Sequence, residues 1–133
     1  MSLDFANELA TAPVVLVGAM NGATINQLDQ IKFGEITVVA APKRDYDDYG
    51  KPLPQAGELG VIVDMSNKPA LAVKVTKVTV ARFLDIDDET ARAIGEENKD
   101  RWISNARSKI GAHGGWSAFM DMVFCTVECT KSL

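Results

Sequence analysis

The stretch 42–54 carries side chains that could bind the phosphate and the base of a nucleotide. Lys43 and Arg44 lie close in sequence to Tyr46 and Tyr49. A lysine or arginine can neutralise a phosphate, and an exposed tyrosine ring can stack on a base. This stretch is predicted to be a loop, and loops of this length are often functional or mobile. The alternative stays open that the two tyrosines fix the loop to the rest of the fold.

A second group of cations lies between Lys68 and Arg82, where the chain has four bases and no acid. Such a local basic stripe can attract phosphate even though the formal net charge of the protein is -4. Lys74 and Arg82 share the same sequence parity, which predicts that they lie on one face of a strand, whereas Lys77 lies past a bend. The alternative is that these lysines only protect a solvated edge strand.

Disulfide and metal chemistry are not expected from this sequence. Cys125 and Cys129 are two strand periods apart, about 13 Å at the usual rise of a strand, whereas a disulfide requires Cα atoms less than about 7 Å apart. They are predicted to be free thiols, which suits a reducing cytosol. His113 is the one histidine, and it stands in a Gly-rich stretch with no zinc-site spacing around it. We therefore predict a cytoplasmic protein without metal or cofactor.

The stretch from Gly57 to Phe83 predicts the centre of the scaffold that positions these side chains. It contains two β-branched runs joined by the turn residues Ser66–Pro69. In the second run the apolar residues change from odd to even positions near Thr76 and Lys77. A strand cannot change face in this way without a bulge or a sharp bend. A long bent strand is typical of a small closed barrel. We predict an α+β fold, mainly β, with a small barrel of five to six strands covered by helices.

Periodicity and cap residues predict the elements around this hairpin. Apolar residues three to four apart predict helices, and short β-branched runs predict strands. The predicted helices are Leu3–Ala10, Thr24–Phe33, Thr90–Glu97 (with Asp87 as its N-cap) and Asn98–Ile110. The predicted strands besides the hairpin are Val14–Val17, Glu35–Ala41 and Met120–Lys131, the last lying beside or near the hairpin strands. Phe83, Ile94 and Trp102 are predicted to pack together.

Length and composition favour one ordinary globular domain. The chain has 133 residues, of which 47% are hydrophobic and 24% charged, and a chain of this size forms a single core. No apolar run approaches the roughly 20 residues that span a bilayer, so no membrane association is expected. The stretch 12–20 is apolar but short, and no basic segment precedes it, so no signal peptide is expected. The segment 85–101 has seven acids against three bases, which predicts an acidic helical cover.

Three segments occur in an order that is known from one protein family. They are Leu28–Thr37 (LDQIKFGEIT), Lys51–Asp64 (KPLPQAGELGVIVD) and Lys74–Phe83 (KVTKVTVARF), followed by Ala91, Gly95, Glu96 and Trp102. This ordered set resembles the ASCH domain of the PUA-like superfamily. The resemblance extends from Gln27 onward, and residues 1–26 match poorly as an N-terminal extension of a single domain, 1–133. It implies a PUA-like barrel with helices around a cleft, and RNA or a nucleotide as the partner.

The sequence departs from the family at the positions that carry its chemistry. Some relatives are acetylcytidine amidohydrolases or ribonucleases, and the amidohydrolase motif has a lysine, two threonines and a glutamate. Thr37 matches the first threonine, but Ile36, Val39 and Ile94 stand at the other three positions, and Ala106 replaces a polar residue after the tryptophan. A buried lysine beside a carboxylate can exchange protons near neutral pH. An apolar pocket cannot.

We therefore predict an RNA- or nucleotide-binding domain that lacks the amidohydrolase chemistry of the family. One alternative is a hydrolase, either a nucleoside amidohydrolase or a ribonuclease, whose catalytic residues have moved to Thr37, Glu35 or Glu96, with Lys43 as a further candidate. The other alternative is a protein-interaction scaffold that uses its apolar cleft. The predicted ligand-binding residues are Thr37, Lys43, Arg44, Tyr46, Tyr49, Lys74 and Arg82. The sequence does not indicate the oligomeric state or the ligand.

Overall fold

The centre of the fold is a curled, four-stranded antiparallel sheet with the strand order β1-β4-β3-β2. The computed structural model describes residues 13–17, 22–48, 50, 52–112 and 115–133. In chain order the elements are α1 (Ile25–Lys32), β1 (Val38–Pro42), α2 (Lys43–Asp48), β2 (Leu59–Val63), β3 (Pro69–Arg82), a 3-10 turn (Phe83–Asp85), α3 (Asp88–Ile94), α4 (Lys99–Ala112) and β4 (Asp121–Ser132). The α+β class is confirmed. The predicted five to six strands are not, because four strands form the sheet in the described part of the chain.

Strands β2 and β3 form the predicted hairpin, and β4 lies beside β3 as expected. The turn depends on Asp64, whose carboxylate accepts hydrogen bonds from the backbone N–H groups of Ser66 and Lys68 at 2.8 and 3.0 Å. Asn67 adopts a positive φ of 62° there, which asparagine tolerates better than most residues. On the other side of β2, the predicted strand 14–17 contributes only an isolated parallel bridge between Val14 and Val61.

The predicted face change in β3 is confirmed as a β-bulge. The register between β3 and β4 shifts between Val75 and Lys77, which leaves Thr76 as the extra residue. The Thr76 hydroxyl donates a hydrogen bond to the carbonyl oxygen of Thr126 at 3.3 Å. One extra residue in a strand of period two reverses the face of every later side chain.

The bulge makes one prediction about the basic stripe wrong. Lys74 and Lys77 pair with Glu128 and Thr126 of β4, which are two residues apart and share a face. Arg82 pairs with Asp121, which has the other parity. Lys74 and Lys77 therefore share one face of the sheet, and Arg82 lies on the opposite face. Equal parity does not place Lys74 and Arg82 on one face, because the extra residue Thr76 lies between them.

Two hydrophobic cores lie on the two faces of the sheet. The first contains Val73, Val75, Val123, Cys125 and Val127 together with side chains from the N-terminal part and α1. Because residues two apart in a strand face the same way, the alternate residues of β4 belong to the second core. That core packs Met122 and Phe124 against helices α3 and α4.

The second core contains the predicted cluster of Phe83, Ile94 and Trp102. The rings of Phe83 and Trp102 are stacked, with centroids 4.3 Å apart and an interplanar angle of 19°. Both side chains are buried, with 0% and 4% of their surface exposed. Helix and strand faces thus bury each other through an aromatic stack.

Three of the predicted helices are present as α1, α3 and α4, although α3 spans Asp88–Ile94 and not the predicted Thr90–Glu97. Thr24 caps α1 in a reciprocal capping box with Gln27, and Asp87 caps α3 by accepting a bond from the Thr90 N–H at 2.8 Å. Helix α4 continues to Ala112, past Ile110, where the helix was predicted to end. A short helix, α2, occupies the first half of the stretch 42–54, so the prediction of a continuous loop was wrong.

Some predictions fall outside the residues that the structure describes. These are the helix Leu3–Ala10, the stacking role of Tyr49 and the loop position of His113. Within the described ranges, every helix is too short or too polar to cross a lipid bilayer.

Candidate functional site

A cavity of about 100 Å³ opens at the free side of β1, where the two hydrophobic cores meet. Strand β1 forms one wall and helix α4 the opposite one, while α1 and the end of α3 complete the site. Its apolar lining consists of Val17, Ile31, Ile36, Val38, Val39, Ala40, Pro42, Ile94, Trp102, Ala106, Ile110 and Met122. Its polar lining consists of Gln27, Glu96, Asn105 and Lys109.

The four apolar replacements predicted from the family motif all line this cavity. Ile36, Val39, Ile94 and Ala106 come from four different elements or connections and meet around the same space. The register of the motif therefore located the pocket, and it also indicated correctly that these four walls are apolar. A cavity wall of aliphatic side chains offers neither a base nor an acid to a ligand.

A glycine at the end of α3 brings the polar mouth of the cavity close to its apolar wall. Gly95 ends the helix in the left-handed conformation with φ +106°, which favours glycine. A Cβ atom built there would meet side-chain carbons of Ile36 at 3.1 and 3.2 Å. The next residue, Glu96, donates its backbone N–H to the carbonyl oxygen of Ala91 at 3.0 Å. This bond fixes the direction in which the chain leaves the helix.

Glu96 and Asn105 are joined at the mouth of the cavity. The Asn105 side-chain amide donates a hydrogen bond to Glu96 Oε2 at 3.0 Å. Lys109 follows Asn105 by four residues, so both lie on the same face of α4. The mouth thus presents a carboxylate, an amide and an ammonium group beside an apolar interior. Such a set can hydrogen-bond one edge of a ligand and neutralise an anionic group outside the cavity.

Backbone groups of β1 add hydrogen-bonding capacity to the wall. The Val127 N–H donates to the carbonyl oxygen of Thr37 at 2.9 Å, and the register between β1 and β4 continues from there. Because antiparallel partners alternate between bonded and non-bonded pairs, the N–H and C=O groups of Val38 and Ala40 point away from β4. Both residues line the cavity. Among the described residues, no backbone group bonds to these four atoms.

The structure does not bring the three catalytic candidates together. Glu96 lines the cavity, whereas Glu35 and Thr37 are exposed and do not line it. The backbone N–H of Thr37 donates to the carbonyl oxygen of Ala93 at 2.9 Å, which ties the start of β1 to α3. The threonine that matches the family motif therefore has a structural contact through its backbone.

The prediction that Tyr46 stacks on a base is wrong. Only 1% of its surface is exposed, and its hydroxyl accepts a hydrogen bond from the Leu16 N–H at 2.9 Å. Burial raises the pKa of this hydroxyl far above its ordinary value, with a contribution from nearby Cys125. Tyr46 therefore fixes α2 to the N-terminal part of the fold, which is the alternative that the sequence left open.

Three of the predicted cationic ligands have partners within the protein. Lys43 pairs with Asp47 at 3.2 Å, and the Arg44 guanidinium donates to the carbonyl oxygen of Gly115 at 2.6 Å. Arg82 donates to the Asp85 carboxylate at 2.8 Å. These pairs are exposed, so they stabilise little and can exchange. None of the predicted cations lines the cavity.

Asn105 and Lys109 were not predicted from the sequence, because charges were counted over the segment 85–101, which includes α3 and only the start of α4. The segment 85–101 is acidic, but α4 itself carries four bases (Lys99, Arg101, Arg107 and Lys109) against one acid, Asp100. The signal was present in the sequence, since charge counted over the predicted helix alone would have shown that the helix containing Trp102 is basic.

The two cysteines are free, as predicted. Cys125 lies in the first core, and burial raises the pKa of its thiol to about 11, although the hydrogen bond with Tyr46 opposes this shift. Such a thiol is protonated at neutral pH and a poor nucleophile. No cluster of three or more histidine, cysteine or acidic side chains that could hold a metal ion occurs within the described residues.

The comparisons with known proteins agree with the fold. A family model of the ASCH domain matches residues 19–108. The chain therefore belongs to the ASCH domain family. A crystal structure of an ASCH domain from Lactobacillus crispatus has a TM-score of 0.69 and 19% identity, covering 97% of this chain and 86% of that one.

A second crystal structure, of a DUF984-family protein from Enterococcus faecalis, also has a TM-score of 0.69. Its identity is 18%, and the alignment covers 87% of this chain and 72% of that chain. At this level of identity the two structures support the fold alone. A comparison with functionally curated proteins finds no match.

Proposed function

We propose that the cavity binds the base of a nucleotide or of single-stranded RNA. The observation that carries the proposal is the free edge of β1. It places the donors and acceptors of Val38 and Ala40 along one wall of an apolar space. A planar heterocycle presents donors and acceptors on its edge and apolar surface on its two faces. The cavity walls offer the complement of both.

The size of the cavity restricts what can enter. Its volume of about 100 Å³ lies below the range of about 300–1,000 Å³ that is usual for sites enclosing a whole drug-sized ligand. Under this proposal only the base enters the cavity, whereas the sugar and the phosphate remain at its mouth. Lys109 lies there on a basic helix, and a lysine is a common phosphate ligand. Asn105 and Glu96 would then contact the exposed edge of the base or the sugar.

A titration with nucleoside monophosphates tests this proposal. We would follow backbone amide shifts by NMR with the 5′-monophosphates of cytidine, uridine, adenosine and guanosine, and with a short single-stranded RNA. Binding should shift the amides of Val38 and Ala40. Lys109→Ala should weaken binding of the RNA and reduce the log–log salt slope by about 0.7, the value for one lost phosphate contact on a single strand.

Lys74→Ala is the matched control, because Lys74 is an exposed lysine on β3 that does not line the cavity. The double variant Lys43→Ala/Arg44→Ala tests the basic loop predicted from the sequence. If either of these weakens RNA binding while Lys109→Ala does not, the ligand binds outside the cavity. Absence of shifts at low salt with all probes would contradict nucleotide binding altogether.

A hydrolase remains a second candidate because Glu96 is a carboxylate in the lining of the cavity and is oriented by Asn105. A carboxylate in this position could activate a water molecule. Incubation of the protein with the same nucleotides and RNA, followed by product analysis, tests this candidate. If the wild-type protein shows turnover, and Glu96→Gln abolishes it while ligand binding persists, the protein is an enzyme and not only a binding module.

A further inference from the structure

The second half of β3 has a neighbouring strand on one side only. Strand β4 pairs with β3 as far as Arg82, but β2 pairs with it only from Pro69 to Lys74. Val75 makes the last bonds on that side, to the backbone of Gly57 and Glu58 at 2.7 and 2.9 Å. In the described part of the chain, the segment 77–82 therefore has an open edge.

The ladder geometry identifies the backbone groups that this edge presents. The Phe83 N–H donates to the carbonyl oxygen of Met120 at 2.9 Å, and the register with β4 is regular back to Lys77. Because bonded and non-bonded pairs alternate, the N–H and C=O groups of Val78, Val80 and Arg82 point away from β4. No backbone group of the described residues bonds to them.

Apolar surface lies beside these backbone groups. Val80 is 44% exposed and Phe119 is 70% exposed. The Arg82 guanidinium lies over the Phe119 ring at 5.6 Å from its centroid. We call Val78, Val80, Arg82 and Phe119 the β3 edge surface. It combines an unpaired ladder with side chains that a further strand would cover.

The charge of this segment restricts which strand can be added. Lys77 lies on the face opposite to Val78 and Val80, and its neighbour on β4 is the neutral Thr126. A second copy of the same segment would add basic residues and no acid, and like charges at close range destabilise a pair. A partner with a glutamate or aspartate opposite Lys77 and β-branched residues opposite Val78 and Val80 would match both faces.

We propose that the β3 edge surface binds an extended acidic segment of a partner protein, which adds as an antiparallel strand next to Lys77–Arg82. In this mode the main chain supplies the affinity and alternate side chains supply the specificity. The Lys77 ammonium would pair with the acid, and the Val80 side chain would be covered by an apolar residue. This surface is separate from the cavity, so the proposal does not depend on nucleotide binding.

A synthetic peptide tests the proposal without any change to the protein. The probe is the capped peptide Thr-Val-Thr-Val-Glu-Thr, in which the valines would face Val80 and Val78 and the glutamate would face Lys77. Amide NMR shifts of the full chain should concentrate at Val78, Val80 and Arg82. N-methylation of the two valines removes the amides that would bond to the edge, and it should weaken binding about tenfold or more.

N-methylation of the residues between and beside the valines is the matched control, because those amides would point to solvent. Binding of this control peptide should be close to that of the parent. Equal weakening by both methylated forms, or shifts that lie elsewhere on the protein, would overturn strand addition at this edge.

The proposed ion pair between Lys77 and the peptide glutamate is tested by reversing the charge of each partner. Replacement of the peptide glutamate by lysine should weaken binding, and Lys77→Glu in the protein should restore it for the lysine peptide. Lys74→Glu is the control, because Lys74 lies before the bulge and opposite β2 residues. If the free protein instead dimerises, with slow amide exchange at 78–82, the occupant is a second copy and the proposed acidic partner is overturned.

Discussion

Trp102 is the residue on which most of the second core depends. Its ring stacks on Phe83 at 4.3 Å and lies 6.0 Å from the ring of Phe124. Trp102→Ala should lower the free energy of unfolding by about 3–5 kcal/mol, as expected for an aromatic side chain removed from a packed core. Urea denaturation measures this loss. Phe119→Ala is the control and should change stability by less than about 0.5 kcal/mol, because that ring is exposed. A loss below about 1 kcal/mol for Trp102→Ala would mean that its ring is not a core residue.

Gly95 and Gly111 should respond in opposite directions to the same substitution. Gly95→Ala places a Cβ in the left-handed conformation and 3.1 Å from Ile36, so it should destabilise the protein by more than about 1 kcal/mol. Gly111 lies inside α4 with no atom within 4 Å of an added Cβ, so Gly111→Ala should stabilise it by roughly 0.5–1 kcal/mol. Thermal unfolding of the two variants in parallel checks the signs. Equal effects would contradict the structural account of Gly95.

At the scale of elements, the bulge in β3 lets Val75 and Val78 face the same core although their numbers differ in parity, because Thr76 is an extra residue. Deletion of Thr76 should leave Lys77 paired with Thr126 and Val78 with Cys125, because Lys77 then follows Val75 in the regular alternation of a strand. The deletion removes the bulge and the bond to Thr126, so it should cost about 1 kcal/mol, as should Thr76→Ala, which removes only that bond. Circular dichroism during heating measures both losses. A loss of about 3 kcal/mol or more for the deletion alone would show that the later side chains have changed face.

The elements were predictable where a local signal determined them. The parity change at Thr76 revealed the bulge, and the cap residue Asp87 located the start of α3. Helix α2 was not predictable because Lys43–Asp48 is short and highly charged, and its position depends on the buried hydroxyl of Tyr46. The face of the sheet on which Arg82 lies could not be predicted from parity alone, because it depends on the strand register on both sides of the bulge.

At the scale of the whole molecule, the apolar walls of the cavity predict an absence of amidohydrolase chemistry. Ile36, Val39 and Ile94 line the cavity, and the sequence resemblance aligns them with a lysine, a threonine and a glutamate of the amidohydrolase motif. We expect no turnover of acetylcytidine above the uncatalysed rate, measured by chromatography of the nucleoside after incubation with the protein. The control is cytidine binding followed by NMR, which shows whether the site is occupied. A turnover of about 1–1,000 per second, the usual range for enzymes, would contradict the assignment of these positions.

The location of the cavity was predictable as a set of motif positions, but its polar mouth was not. The four apolar replacements have no local pattern that joins them, and only the family order brought them together. Asn105 and Lys109 lie outside the motif, on the exposed side of α4. Trp102 and Ile110, which pack in the second core, determine which side of this helix faces the cavity. The orientation of a helix about its axis depends on packing between segments that are distant in sequence, so it cannot be predicted from a short stretch of sequence.

The strand order has a consequence for the nascent chain on the ribosome. Strand β4 lies between β1 and β3, although it is the last of the four in sequence. Asp121 follows Pro42 by about 80 positions, so at a synthesis rate of about 5–20 residues per second β1 waits roughly 4–16 seconds for its partner. Throughout that interval β1 has no strand to pair with, and from the time that β3 has been made its β4 side is open along the whole strand. The interval ends only when residues 121–132 have emerged and join the two separate parts of the sheet.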